Sequence, residues 1–187
     1  MKHFYDQIDS KMFSFAGLYK EAVERCLLEG TLVEVGCWVG QSLAYLLVEA
    51  WNSNKEIRVV GVDAFSGNIH SADVKEFSQW ELFRKNLAPV WKEVRVIKTL
   101  SHLGAEYFED GSVDMAFIDA DHHQLAVARD LEAWWPKVKA GGWLAGHDVK
   151  HPPVAAALRE FADLHMVTYT KRSEENSWVI EKPYDHL

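Results

Sequence analysis

The alternation of apolar and polar positions divides the chain into helical and strand-like segments. Residues 14–29 space Phe15, Leu18, Val23, Cys26 and Leu27 among polar residues, which predicts a helix that Gly30 can end. A β-branched apolar run over 31–35 then breaks at Gly36, and a dense apolar helical pattern occupies 41–51. Residues 57–62 form a second apolar run that finishes on Asp63. A helix capped by Ser71 or Asp73 is expected to run through Leu87 and to stop before Pro89. Residues 91–98 alternate as a third strand, and Gly111 turns into VDMAFIDA, whose nearly continuous apolar character fits a strand covered on both faces. A helix over 124–139 with a kink at Pro136 follows, and Gly141 and Gly142 lead into the strand WLAGHD. Pro152 and Pro153 open a helix through Phe161. Two last strands, near 165–170 and 178–181, flank a polar turn at 173–176 and predict an antiparallel hairpin.

Strands alternating with helices point to an α/β fold, a three-layer sandwich with right-handed crossovers. With 187 residues, 48% of them hydrophobic, the chain fits one domain with a substantial core better than two. We expect a single domain over 1–187, with 1–13 as a short N-terminal extension.

A formal charge of −8 without a basic stripe argues against binding to a nucleic-acid backbone. Two cysteines, Cys26 and Cys37, make no disulfide framework and suit a reducing compartment. The N-terminus lacks an apolar signal core, and the apolar runs are strand-sized. The expectation is a cytoplasmic protein with no membrane association.

The stretch LVEVGCWVGQS places a strand, a tight turn and a helix start in order, and VVGVD adds a carboxylate at the end of the next strand. Gly36 allows close approach of a ligand, and free N–H groups at the helix start favour an electron-rich group. In open α/β sheets ligands bind outside the carboxyl ends of the strands, where Asp63 could accept both hydroxyls of a ribose. The combination reads as a nucleoside crevice. Only Gly36 and Gly40 stand in the window where a dinucleotide fold needs G-x-G-x-x-G, which makes NAD the weaker ligand.

In motif order, EVGCWVGQS, VVGVDAF, VDMAFIDADHH and the run WWPKVKAGGWLAGHD to HPPV resemble the class I S-adenosylmethionine-dependent methyltransferases, over roughly residues 18–180. Within that class they are similar to a subgroup of small-molecule O-methyltransferases that use a divalent cation. The resemblance implies a Rossmann-like, seven-stranded, mostly parallel sheet with an antiparallel C-terminal strand. It implies a cofactor cradle of Glu34, Gly36, Cys37, Trp38, Gly40 and Ser42, with Asp63 and Ala64 at the ribose, Leu100 and Ser101 at the adenine, and Asp119 beside them.

Asp119 and Asp121 end the fourth strand, His122 and His123 follow, and His147 with Asp148 end the fifth. Carboxylate oxygens suit a hard dication such as Mg²⁺ or Mn²⁺. The resemblance assigns metal ligation to Asp119, His147 and Asp148. The subgroup usually carries an oxygen ligand at the position of His147, and an imidazole there favours Mn²⁺, Fe²⁺ or Zn²⁺ over Mg²⁺. Asp119 and His122 are the candidate catalytic residues. His122 stands where one branch of the family has a basic lysine, and an unperturbed histidine can take a hydroxyl proton near neutrality. His151 is a further candidate, and the loop FSGNIHSAD, with His70 and Asp73, could cover the site.

The expected function is transfer of a methyl group from S-adenosylmethionine to a small-molecule hydroxyl. The alternatives are an NAD-dependent oxidoreductase, a non-catalytic nucleotide-binding protein and a nucleic-acid methyltransferase. The short N-terminal segment, with Phe4, Tyr5, Phe13 and Phe15, leaves the acceptor pocket either open or completed by a second subunit, as in a homodimer.

Overall fold

A computed structural model describes all residues except 11, 67–77 and 185–187. Seven strands form one sheet in the order β3-β2-β1-β4-β5-β7-β6. They are β1 (Glu29–Val35), β2 (Glu56–Asp63), β3 (Arg95–Lys98), β4 (Val113–Ile118), β5 (Val138–His147), β6 (Thr170–Arg172) and β7 (Ser177–Glu181). The pairs within β3-β2-β1-β4-β5 are parallel, and β7 is antiparallel to both β5 and β6. The expected mostly parallel sheet with its reversed C-terminal strand is therefore present.

Because side chains alternate along a strand, the sheet feeds two cores. Leu32, Met115 and Phe117 face a cluster built with α1 (Ala16–Arg25), α2 (Gln41–Asn52) and α3 (Gln79–Asn86). Val33, Val35, Ala116 and Ile118 face the opposite cluster with α4 (Gln124–Trp134) and α5 (Pro152–His165). Helices on both faces explain the unbroken apolar runs of the central strands. Phe4, Tyr5 and Phe13 pack on the first cluster, where His3 stacks on Tyr45 of α2 and its Nε2 meets Glu49 at 2.7 Å. Among the described residues no helix is long and apolar enough to cross a membrane.

Several boundaries differ from the sequence pattern. The first helix ends at Arg25, leaving Leu27 81% exposed, and Gly30 lies inside β1, paired with Ile57 of β2, where Cys26 and Asp114 leave no room for a Cβ. Residues 91–94 form a turn before the short β3. Pro136 does not kink a long helix; it sits in a 3-10 turn that ends α4, so β5 starts at Val138, ahead of the glycine pair. The helix α5 continues to His165, past Phe161, which shifts β6 to Thr170. Ser71 and Asp73 lie outside the described residues. The N-cap of α3 is Ser78, which with Glu81 forms a capping box.

Candidate active site

Strand β1 has β2 on one side and β4 on the other, so the chain leaves it in opposite directions across the sheet. Such a switch opens a crevice at the carboxyl ends of the strands. A cavity of about 810 Å³ lies there, lined among others by Gly36, Trp38, Asp63, Ser101, Asp119 and His122.

Gly36 makes the crevice with its backbone. It holds φ +93°, and a Cβ would stand 2.0 Å from the Asp119 carbonyl oxygen. The bare backbone lets the ends of β1 and β4 approach, and Asp119 N–H donates to the Val35 carbonyl at 2.8 Å.

Asp63 ties the loop after β1 to its own loop. One carboxylate oxygen accepts from the N–H groups of Cys37 (2.8 Å) and Trp38 (3.0 Å), the other from that of Phe65 (2.6 Å). Trp38 and Phe65 are both left-handed, at φ 47° and 49°. Gln79, which nothing in the pattern singled out, donates to the Trp38 carbonyl at 3.2 Å and reaches Asp63 at 3.3 Å.

Ala64, Leu100 and Ser101 also border the cavity, whereas Glu34, Cys37, Gly40 and Ser42 do not line it. Glu34 is fully buried beneath the glycine turn, accepting from Tyr19 Oη at 2.7 Å and Ser42 Oγ at 2.8 Å. Burial pushes its carboxyl up to about 8, and lifts the Cys37 thiol above its usual range. Trp134, which reads as core packing alone, also donates its indole N–H to the Ser101 carbonyl at 3.1 Å. Behind Ser101, Asp130 is 1% exposed, and burial pushes its carboxyl up to about 6.

The other end of the cavity is acidic and histidine-rich. Asp119, His122 and Asp148 each present a ligand atom within 4.8 Å of the others. His122 Nε2 lies 3.5 Å from Asp119 Oδ1 and 2.7 Å from Asp148 Oδ2. The carboxylates of Asp119 and Asp148 push the His122 imidazole up to about 10, and His122 and His147 in turn hold the Asp148 carboxyl well below the usual carboxylate range. His147 directs Nδ1 at the same acids, 3.5 Å from Asp148 Oδ1 and 3.9 Å from Asp119 Oδ2. Burial opposes its charged form, but Asp148 and Asp119 outweigh that and leave it above the ordinary histidine value.

Asp148 has φ 57°, and Asn176, also left-handed at φ 50°, donates to its Oδ1 at 2.8 Å. The Lys150 N–H donates to the Asn176 amide oxygen at 3.1 Å, which fixes the way that amide faces. His151 lines the cavity with its ring 5.8 Å from that of His122. His123 also borders the cavity, but its ring is bonded to Asp121 and largely exposed. His70 and Asp73 lie outside the described residues.

The donor set fits a divalent cation. Two carboxylates and the His122 imidazole converge, His147 Nδ1 faces the same two carboxylates from 3.5 and 3.9 Å, and His122 Nε2 is a buried atom whose contact with Asp148 lacks the geometry of a hydrogen bond. Asp119 belongs to both halves of the site, its backbone to the glycine turn and its carboxylate to the acidic end.

A protein-family model described as a methyltransferase domain matches residues 33–149. No curated protein sequence matches the chain. Among solved structures, the O-methyltransferase NovP aligns over 91% of this chain and 80% of its own, at 16% identity and a TM-score of 0.66. CalS11, a TDP-rhamnose 3'-O-methyltransferase of calicheamicin biosynthesis, aligns over 89% and 76%, at 15% identity and a TM-score of 0.63. An O-methyltransferase family protein from Burkholderia thailandensis aligns over 92% and 56%, at 13% identity and a TM-score of 0.57. At these identities the likeness to the solved structures is one of fold.

Proposed function

Since the chain belongs to the family of methyltransferase domains, we propose that it transfers a methyl group from S-adenosylmethionine to a hydroxyl of a small molecule, assisted by a divalent cation. The observation that carries this reading is one cavity with two chemically distinct ends, Gly36, Asp63 and Ser101 at one and Asp119 and His122 at the other. The O-methyltransferases among the structural neighbours support oxygen as the acceptor atom.

Methyl transfer from a sulfonium is an in-line displacement. The acceptor oxygen bonds to the methyl carbon as the carbon–sulfur bond breaks, its electron pair returns to sulfur, and the hydroxyl proton leaves to a base. The donor is already activated, so the protein's tasks are orientation, proton removal and exclusion of water. Asp63 at the end of β2 would accept from the ribose hydroxyls, and Leu100 and Ser101 would border the adenine. Asp119 and Asp148 would hold the cation, which on binding lowers the pKa of a coordinated hydroxyl. His122 keeps its proton while both carboxylates face it. Once they are engaged elsewhere, its Nε2 can take the acceptor's proton.

The test is calorimetric titration of metal-stripped protein with S-adenosylmethionine and with NAD, followed by transfer of labelled methyl to catechol-like and sugar hydroxyls with and without chelator. Binding of S-adenosylmethionine but not NAD, and chelator-sensitive transfer to oxygen, are expected. Binding of NAD in its place, or transfer to RNA but to none of the small acceptors, would overturn the reading.

A further inference from the structure

His147 is held from outside the cavity by a residue of the N-terminal segment. Ser14 Oγ lies 3.0 Å from His147 Nε2 and also 3.0 Å from the Glu175 carbonyl oxygen, to which it donates. A hydroxyl has one proton, and a carbonyl oxygen can only accept. The Ser14 proton therefore goes to Glu175, and His147 Nε2 must donate to Ser14.

In the neutral imidazole this leaves Nδ1 without a proton, and Nδ1 is the atom aimed at Asp148 and Asp119. A lone pair facing two carboxylates is repulsive when nothing lies between them and favourable when a cation is shared by all three. The arrangement is braced. Glu175 accepts from Leu18 N–H at 3.1 Å and Arg172 Nε at 2.8 Å, and Arg172 Nη1 also meets Glu21 at 2.6 Å. The next residue, Asn176, orients Asp148. One turn, between β6 and β7, thus sets the direction of two neighbouring side chains.

We propose that Ser14, anchored by the Glu175 carbonyl, is a positioning residue that fixes His147 with Nδ1 open toward Asp119 and Asp148, making the cation site a mixed nitrogen and oxygen site that selects a transition-metal dication over Mg²⁺. The inference rests on the cation-assisted reading above. Partners that orient a ligating histidine from outside typically contribute 10–100-fold to metal affinity, and imidazole ligation shifts preference from Mg²⁺ toward the transition metals.

The probe is Mn²⁺ added to the metal-free full chain, read by pulsed electron paramagnetic resonance for directly bound nitrogen and by competition with Mg²⁺. A nitrogen coupling is expected that disappears in His147→Gln and persists in His122→Gln. Ser14→Ala should weaken Mn²⁺ binding about tenfold or more while changing Mg²⁺ binding little, and Ser14→Thr should restore it. Ser14 is exposed, so these variants test orientation without removing core packing.

Nitrogen coupling that vanishes in His122→Gln but not in His147→Gln would overturn the proposal, as would unchanged Mn²⁺ affinity in Ser14→Ala. Chelator-sensitive methyl transfer with an all-oxygen Mn²⁺ site would overturn it and leave the cation-assisted function standing. Chelator-resistant transfer with no Mn²⁺ binding would remove both.

Discussion

Replacing Asp63 by asparagine separates the two tasks that the geometry gives this carboxylate. It accepts from three backbone N–H groups, those of Cys37, Trp38 and Phe65, at 2.6–3.0 Å. An asparagine keeps one oxygen. Turned toward Cys37 and Trp38, it preserves two bonds in neutral form and sets its NH₂ against the Phe65 N–H, donor facing donor. Each bond to a charged group contributes about 1.5–3 kcal/mol, and an orphaned buried donor costs about 1–3 kcal/mol. Trp38 and Phe65 also lose part of what holds them left-handed, a conformation that costs roughly 1–2 kcal/mol per residue. Counting one lost bond, partial weakening of the other two and no separate strain term, Asp63→Asn should destabilise the fold by about 3 kcal/mol, a loss that a domain of ordinary stability survives. Urea unfolding should show a lower midpoint with an unchanged slope. Calorimetry should show S-adenosylmethionine binding weakened at least tenfold, about 1.4 kcal/mol. Stability within about 0.5 kcal/mol of wild type, the range of an inert surface change, would refute the energetic argument. Lost stability with unchanged affinity would make Asp63 a loop staple with no part in holding ribose.

Asp130, with a folded-state value of about 6 against an ordinary 3.8, binds its proton more tightly in the native state. The associated stability is present below pH 3.8 and lost as the pH rises through 6. Asp130→Asn should therefore raise stability at pH 7 by up to about 3 kcal/mol, with the gain vanishing near pH 3.5 in a melting series; a gain that persists there would exclude ionisation as its cause. Glu34 has the same sign, with its value at about 8. Glu34→Gln should therefore remove the part of the stability loss that the wild type shows as the pH rises from 4.5 to about 8, and leave the slope above 8 unchanged; a large loss at pH 6 would mean that the native state needs the carboxylate. Gly36→Ala drives a Cβ into the Asp119 carbonyl at positive φ. It should cost at least about 3 kcal/mol and disturb Mn²⁺ binding at Asp119; a well-folded variant with normal Mn²⁺ affinity would show that the turn yields independently of β4.

The parts that the sequence made legible are those governed by short periods. The buried parallel strands, the glycine turn, and the acids Asp63, Asp119 and Asp148 at strand ends all follow from apolar runs and what terminates them. Tertiary contacts decided what the pattern missed. Gly30 looks like a helix terminator, yet it pairs with Ile57 of β2, and Asp114 of β4 takes the neighbouring Thr31 N–H at 2.7 Å. Gln79 is an ordinary residue of a helical first turn, and only the fold brings its amide to Asp63 and the Trp38 carbonyl. Ser14 and Asn176 lie 133 and 28 residues from the side chains they orient, beyond any local periodicity. His122 was legible as a residue near Asp119, but not as the group that Asp148 also holds, because that pairing depends on the left-handed turn at Asp148.

The position of Asp119 explains why the two ends of the cavity cannot be tuned separately. Its N–H is bonded to the Val35 carbonyl, one residue before the glycine turn, and its carbonyl fills the space that a Cβ on Gly36 would need. The peptide that packs against the Gly36 turn thus carries the carboxylate that faces His122 and His147. Displacing β4 relative to β1 by one residue would invert the face of every side chain in the strand and withdraw Asp119 from both ends. Four consecutive pairings, Leu32 with Met115 through Val35 with Ile118, oppose that slip, and each is buried on one core or the other except at Glu34. Glu34 is the exception because its carboxyl is taken up by Tyr19 and Ser42, which lie in the two helices that cover the same face. The distance between the Gly36 turn and the Asp119 carboxylate is therefore set by the register of two central strands.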